Sequence, residues 1–171
     1  SEKDQDGIPY CWCNSPTHCV DILRSIQGLP FNETSAASVG GPITGYREEG
    51  GWNLDAVQYL AKTGGASVNQ WPNNAVSSKY NTVAVTTFRP NRMAFEWLDL
   101  ETGNTDQLGT ATLLGYPSAI GVDWWSHSIA VVRLADLGGG KFGYTIANSW
   151  GNWGAKNRWG LAGFETLSEA K

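Results

Sequence analysis

Four short apolar segments follow one another in the second half of the chain, each separated from the next by glycine or other turn residues. They read SAIGVDWW, SIAVVRLADL, KFGYTIANSW and NRWGLAGFETL, with three glycines at 138–140 between the second and the third. Short apolar runs joined by glycine turns favour strands that pair with their sequence neighbours. The second half therefore predicts a mostly antiparallel sheet.

The first half has a helical pattern. SPTHCVDILRSIQG has apolar residues at helical spacing, with Ser15 and Pro16 at its start and Gly28 at its end. A second helix is predicted in WNLDAVQYLAKTGG, capped by Asn53. NETSAASVGGPITGYREEGG is read as an irregular connection, TVAVTTF as a strand and RPNRMAFEWLDLETGN as a helix. Helices followed by a sheet indicate an α+β fold.

The length and composition are those of one globular domain. The chain has 171 residues, of which 41% are hydrophobic and 16% charged, and this is enough for a single core. We expect one domain over 1–171, with a helical half at about 1–80 and a β-rich half at about 81–171.

Charge and hydropathy argue against two classes of partner. The formal net charge is -4 and the 12 Lys and Arg form no run, so we expect no nucleic-acid partner. No apolar stretch approaches the roughly 20 residues of a membrane span, and the polar start SEKDQDGIPY is unlike a secretory signal. We expect a cytoplasmic or virion-associated protein without membrane contact, in the second case with an assembly partner in a larger particle.

Three cysteines, Cys11, Cys13 and Cys19, lie close together. Their odd number and tight clustering make a poor disulfide framework. Together with His18 they include zinc-ligand types, but the spacing C-x-C-x4-H-C differs from the paired C-x2-C of structural zinc sites. We expect free thiols and no metal.

Cys19 falls in the first turn of the predicted helix. The reactive form of cysteine is the thiolate, which the N-terminus of a helix stabilises through its unpaired N–H groups. The alternative is a small buried apolar residue, which is what most free cysteines are. Position alone leaves both interpretations open.

His127 and Asn148 stand at the ends of two neighbouring predicted strands. An imidazole that acts as a base needs an oxygen acceptor on its second nitrogen, and Asn148 can supply one. Trp150 can shield that hydrogen bond from water. His18 adjoins Cys19 but points about 100° away along a helix, so we expect it at the surface or rim. Taken singly, a strand-end histidine or asparagine is also a common structural residue.

The order of these residues resembles that of the papain-like cysteine peptidases. The segment HSIAVVRLADLGGGKFGYTIANSWGNWGAKNRWG resembles the family's catalytic histidine at a strand start, followed by Asn-Ser-Trp-Gly. The segment EEGGWNLDAVQYLAKTGGASVNQWP resembles its Gly-Gly segment, helix and aromatic-Pro ending. The resemblance covers most of the chain. It implies a papain-like fold, with the helical half packed against the sheet and an active-site cleft between them.

The resemblance also implies a catalytic triad. Cys19 would be the nucleophile, His127 the acid and base, and Asn148 the orienting residue, with Trp150 as its shield. The implied function is a cysteine peptidase that forms an acyl-enzyme with a peptide or protein substrate and needs no cofactor.

Gly50 and Gly51 would lie in the cleft, where a backbone without side chains can pair with an extended substrate. Glu48 and Glu49 precede them, where the family often carries a cysteine. The corresponding disulfide is therefore absent, which fits a reducing compartment.

The region around Cys19 departs from the family signature C-G-[SA]-C-[WY]. Val20 stands where an aromatic residue should follow the nucleophile, and Cys13 stands at the offset of the oxyanion-hole glutamine. Asn14, beside it, could donate the amide hydrogen bond together with the backbone N–H of Cys19.

Two other functions stay open at this stage. The same triad could cleave a cell-wall or isopeptide amide, because one acyl-enzyme chemistry serves either bond. The departures around Cys19 instead favour a catalytically weak or inactive binding module, such as a virion component. The short spacing between Cys19 and His127 indicates trimmed loops, and such compact chains resemble those encoded by bacteria and their phages.

Overall fold

A computed structural model describes residues 3–94, 96–152 and 164–168, the last segment by its backbone alone. Five α-helices and four strands lie within these residues. The helices are α1 (Cys11–Ile26), α2 (Ala37–Thr44), α3 (Asn53–Lys62), α4 (Val83–Phe88) and α5 (Thr105–Leu113), and the strands are β1 (Ser118–Val122), β2 (His127–Gly138), β3 (Lys141–Ala147) and β4 (Phe164–Ser168). The helices precede the sheet, so the predicted α+β class is confirmed.

The sheet has the order β1-β2-β3-β4, and each neighbouring pair is antiparallel. His127 pairs with the last residue of β1, because only a short 3-10 turn over Asp123–Trp125 and one further residue separate the two strands. Ala130 of β2 pairs with Ala147 of β3, which brings the residue after β3 close to the start of β2. The predicted antiparallel sheet is thus confirmed, while residues 157–163 of its last predicted segment lie outside the described residues.

Helix α1 begins at Cys11, one turn before the Ser-Pro start that the sequence predicts. The carbonyl of Tyr10 accepts hydrogen bonds from the first turn, and Trp12 and Cys13 are buried in the core. Pro16 consequently lies inside the helix, where it cannot donate a backbone hydrogen bond. Burial of an apolar first turn outweighs this loss, and the predicted helix start was wrong.

Three further segments differ from their predictions. The connection expected to be irregular contains α2. TVAVTTF forms α4 and not a strand, because the hydroxyl of Thr82 accepts from the N–H of Val85 and caps a helix. In RPNRMAFEWLDLETGN the described helical residues are the 3-10 turn Arg89–Arg92, and α5 starts later, where Asn104 accepts from the N–H of Gln107. Local capping therefore overrides the apolar pattern in these segments.

One apolar cluster lies in the helical half and another in the sheet. The cluster of the helical half includes Tyr10, Trp12, Val39, Ala56 and Leu60, and the cluster of the sheet includes Val122, Ile129, Val131, Tyr144 and Ile146. Helix α1 contacts both α3 and β2, so the helical half packs against the sheet as expected. No helix in the described part of the chain is both long and apolar enough to cross a membrane.

Candidate active site

His127 and Asn148 meet at the end of the sheet where β2 starts and β3 ends. His127 Nε2 lies 2.7 Å from Asn148 Oδ1, and both side chains are buried. The backbone N–H of Ser149 donates to the same Oδ1 at 2.8 Å. An atom that accepts a backbone N–H is the amide oxygen, so Nε2 of His127 carries a proton and donates it to Asn148. The hydrogen bond expected from the sequence is therefore present.

The imidazole of His127 is covered on one face by Trp150. Their rings stack with centroids 4.4 Å apart and an interplanar angle of 26°. Burial lowers the pKa of His127 below its ordinary value, and the hydrogen bond with Asn148 opposes that shift in part. The neutral ring is thus favoured at pH 7, with Nδ1 as an acceptor.

Cys11 is the first residue of α1, and its side chain is partly exposed. The first four N–H groups of a helix have no partner within it and stabilise negative charge nearby. Ser15, one turn later on the same face, is hydrogen-bonded to Ser128, the neighbour of His127. The face of α1 that carries Cys11 and Ser15 therefore lies toward the start of β2.

Cys19 lies well inside α1 and not in its first turn. Burial is the main cause that raises the pKa of Cys19 to about 12, and the carboxylate of Asp21 adds to it. The helix-terminus argument for a reactive thiolate at Cys19 therefore does not hold. His18 is buried, which corrects its expected position at the surface or rim.

Gln5 stands six positions before Cys11 in the sequence and contacts Ser149, the residue after Asn148. Its backbone N–H donates to the carbonyl of Ser149 at 2.9 Å, and its Oε1 accepts from the Ser149 hydroxyl at 2.6 Å. Its Nε2 donates to the carbonyl of Ile8 at 3.0 Å. An amide nitrogen carries two N–H groups, so one N–H of Gln5 Nε2 is left for a further acceptor.

Asn14 lies within α1 and not in a loop before it. It is buried at the end of the first turn of α1, where its Nδ2 donates to the carbonyl of Tyr10 and its Oδ1 accepts from Asn73. Both ends of the amide are engaged in holding α1 to its surroundings. The loop position assumed for Asn14 was wrong because α1 starts earlier than predicted.

Gly50 and Gly51 are exposed. The residue before them is bonded to Trp12, which follows Cys11 in the sequence. The indole N–H of Trp12 donates to the carbonyl of Glu49. A Cβ on Gly51 would lie 2.6 Å from the Trp12 ring, whereas a Cβ on Gly50 would have no heavy atom within 4 Å. Gly51 thus lies against Trp12, the residue that follows Cys11 in α1.

The start of α3 also reaches this region. Asn53 is the first residue of α3, and not its side-chain cap, because its Oδ1 accepts from the Ser128 hydroxyl at 2.6 Å. Ser128 also bonds to Ser15. Three elements are therefore tied together beside His127.

A signal for Gln5 and Cys11 was available in the sequence. The Cys11-Trp12 pair has the aromatic residue that the family signature requires, which Cys19-Val20 lacks. Gln5 stands at the same offset from Cys11 as the offset at which Cys13 stands from Cys19. The predicted helix start at Ser15 led away from this alignment. Over residues 3–94 and 96–152, no group of three His, Cys, Asp or Glu side chains is arranged to hold a metal ion.

Solved structures similar to this chain are cysteine proteases and their precursors. Procathepsin L 3 of the Tenebrio molitor larval midgut has a TM-score of 0.73 and 21% identity, over 98% of this chain and 60% of that chain. Bromelain from Ananas comosus, in complex with the E64 inhibitor, has a TM-score of 0.73 and 20% identity, over 100% of this chain and 85% of that chain. The fold is papain-like. Xylellain, a cysteine protease from Xylella fastidiosa, has a TM-score of 0.72 and 17% identity, over 96% of this chain and 75% of that chain.

These similarities establish the papain-like fold and leave the activity to be argued from the site. The identities are low, and the chain spans 60% of the procathepsin L 3 chain. No protein-family model matches the sequence, and no curated protein matches it. The similar structures come from organisms as different as Tenebrio molitor, Ananas comosus and Xylella fastidiosa, so the likeness in fold does not support the bacterial or phage origin expected from the compact chain.

Proposed function

We propose that this protein is a cysteine peptidase in which Cys11, His127 and Asn148 form the catalytic triad. Cys11 takes the role that the sequence had suggested for Cys19. The observation that carries the proposal is the hydrogen bond between Ser15, one turn after Cys11 on the same face of α1, and Ser128, the neighbour of His127, which is itself hydrogen-bonded to Asn148. The similarity in fold to solved cysteine proteases supports it.

The acylation step starts from a neutral imidazole. Nδ1 of His127 takes the proton of the Cys11 thiol, while Nε2–H stays on Asn148. The thiolate attacks the carbonyl carbon of the scissile amide, and the carbonyl electron pair moves to oxygen. When this pair returns, the C–N bond breaks and Nδ1–H protonates the departing amine.

The charge that develops on oxygen needs donors that are already in place. The free backbone N–H of Cys11 at the helix start is one such donor, and the second N–H of Gln5 Nε2 is the other. The side chain of Gln5 is fixed by Ser149 and Ile8. Gln5 therefore replaces Asn14 as the side-chain oxyanion donor.

Hydrolysis of the thioester completes the cycle. Nδ1 of His127 takes a proton from water, and the oxygen attacks the acyl carbon. The C–S bond then breaks, and the Cys11 thiolate regains its proton from His127. Trp150 keeps water away from one face of the ring, which strengthens the bond to Asn148.

The substrate class is a peptide in an extended conformation. Gly50 and Gly51 are exposed and carry no side chain, and Gly51 lies against Trp12, the residue after Cys11, so an extended chain can form main-chain hydrogen bonds with their solvent-facing side. The inactive-module alternative relied on a missing oxyanion glutamine. Since Gln5 stands at the required offset from Cys11, that reason no longer applies.

The test compares Cys11→Ala with the matched variant Cys19→Ala. Iodoacetamide labelling at pH 8 and hydrolysis of dye-quenched casein are measured for both, with labelled sites located by peptide mapping. We expect Cys11→Ala to abolish labelling and hydrolysis and Cys19→Ala to retain both, because the pKa of Cys19 is raised to about 12. Labelling of Cys19 in the active protein, or hydrolysis by Cys11→Ala, would refute the assignment.

A further inference from the structure

Lys3 is a lysine with no solvent exposure. Its ammonium donates to the carbonyl of Thr34 at 2.6 Å and lies 3.3 Å from an oxygen of Asp21 and 3.6 Å from an oxygen of Glu33. Asp21 also accepts from the backbone N–H and the hydroxyl of Thr34. The ammonium is thus surrounded by acceptors from α1 and from the segment before α2.

A buried ion pair is a weak source of stability. Both ions lose their hydration, and apolar side chains of similar volume stabilise a core about as well. A well-ordered ionic cluster nevertheless fixes geometry, since the cation must sit where its acceptors converge. The position of Lys3 is therefore defined relative to α1, which carries Asp21 and begins at Cys11.

The segment that carries Lys3 also carries Gln5. The carbonyl of Lys3 accepts from the N–H of Gly151 at 3.1 Å, and the N–H of Gln5 donates to the carbonyl of Ser149 at 2.9 Å. The residues between them form an antiparallel bridge. Side chains two positions apart in extended backbone point to the same side, so the Lys3 and Gln5 side chains lie on one side of the segment.

We propose that Lys3 is a positioning residue for Gln5. The inference rests on the proposed function, in which Gln5 donates to the oxyanion. Pairing with residues 149–151 holds the segment beside Asn148, and the ionic cluster holds it to the helix of Cys11. With both attachments in place, the Gln5 amide is fixed relative to the nucleophile and the triad.

The experiment compares Lys3→Met with Gln5→Ala and with the double variant. Lys62→Met, at an exposed lysine of α3, is the matched control. A further variant, Lys3→Met with Asp21→Asn, removes a buried anion together with the cation and is used if Lys3→Met does not fold. The readouts are kcat and KM on dye-quenched casein, iodoacetamide labelling of Cys11, and hydrogen exchange of the backbone N–H of Gln5, which is bonded to Ser149.

We expect Lys3→Met to lower kcat by about 10- to 100-fold while KM changes less than about twofold. Labelling of Cys11, which needs no oxyanion donor, stays at the wild-type rate. Hydrogen exchange of the backbone N–H of Gln5 becomes at least about tenfold faster. Gln5→Ala lowers kcat by about 10²–10³, and adding Lys3→Met to it causes no further loss, because both changes remove the same hydrogen bond.

The inference would be overturned if the kcat losses of Lys3→Met and Gln5→Ala multiplied in the double variant, or if Cys11 were labelled more slowly in Lys3→Met. Either result would mean that Lys3→Met disturbs the active site in general and not through Gln5. An unchanged Gln5 exchange rate would overturn it as well. Failure of the proposed function gives a different result: the wild type itself neither labels at Cys11 nor cleaves casein, whatever happens to the exchange of Gln5. In that case the oxyanion role falls, and the exchange data alone decide whether Lys3 fixes the segment.

Discussion

Asn148 accepts the Nε2 proton of His127 through the same Oδ1 atom that accepts the backbone N–H of Ser149. Asn148 therefore fixes the orientation and the tautomer of the His127 ring, and the backbone N–H of Ser149 in turn fixes Asn148. The neutral ring presents Nδ1 as its acceptor, and stacking of Trp150 restricts rotation out of this position.

The titration of His127 follows from this arrangement. Burial lowers its pKa and the hydrogen bond with Asn148 partly opposes the shift. In Cys11→Ala, which has no thiol to interact with the ring, NMR titration should give His127 a pKa below about 6.5. Adding Asn148→Ala should lower it further. A His18→Gln variant assigns the two histidine signals, and a rise of the pKa on removal of Asn148 would contradict the prediction.

The same shift makes folding stability depend on pH. Because the pKa of His127 is lowered in the folded protein, the unfolded chain binds a proton first as the pH falls. The contribution of His127 is complete above about pH 6.5 and is lost as the pH falls from there through the folded pKa. Urea unfolding at pH 7.5 and 5 should therefore show a larger loss of unfolding free energy in Cys11→Ala than in Cys11→Ala with His127→Gln. Equal losses would mean that His127 is not responsible.

Asn14→Ala should affect stability and not turnover. The variant loses the bonds to the Tyr10 carbonyl and to Asn73, which should lower the unfolding free energy by roughly 1–3 kcal/mol. Turnover per folded molecule should stay within about twofold, in contrast to Gln5→Ala, which should lose about 10²–10³ in kcat. A large fall in kcat for Asn14→Ala would return it to the role first expected from the sequence.

The sheet and the His127–Asn148 hydrogen bond could be predicted because each depends on local pattern. Apolar strands separated by glycine turns pair with their neighbours, and the ends of adjacent strands meet. The start of α1 could not be predicted in this way. Ser15 and Pro16 have the residue types of a helix start, but burial of Trp12 and Cys13 against the helical cluster extends the helix by a turn. Tertiary packing thus decided which cysteine lies at the helix terminus.

Ser128 couples three elements beside His127. Its hydroxyl donates to Asn53 and accepts from Ser15. A double-mutant cycle of Ser15→Ala and Ser128→Ala, followed by urea unfolding, should give a coupling of about 0.5–1.5 kcal/mol. The matched cycle of Ser128→Ala with Ser25→Ala, at an exposed serine of the same helix, should give none. Equal couplings in the two cycles would show that the bond does not tie α1 to β2.

Gly51→Ala and Gly50→Ala form a matched pair of one added methyl group each. A Cβ on Gly51 would lie 2.6 Å from the buried ring of Trp12, while a Cβ on Gly50 would lie in open space. A rigid indole cannot yield without moving the segment or α1, so Gly51→Ala should lower the unfolding free energy by about 1–3 kcal/mol. Gly50→Ala should leave it within about 0.5 kcal/mol of wild type.

The two glycine variants also separate packing from substrate access. If Gly51→Ala displaces Trp12, the adjacent Cys11 moves with it, and iodoacetamide labelling of Cys11 should slow in this variant alone. Gly50→Ala should label at the wild-type rate, because its methyl group touches no side chain of the site. Equal stability and equal labelling in the two variants would mean that the glycine segment does not rest on Trp12, and the cleft wall beside Cys11 would have to be assigned to other residues.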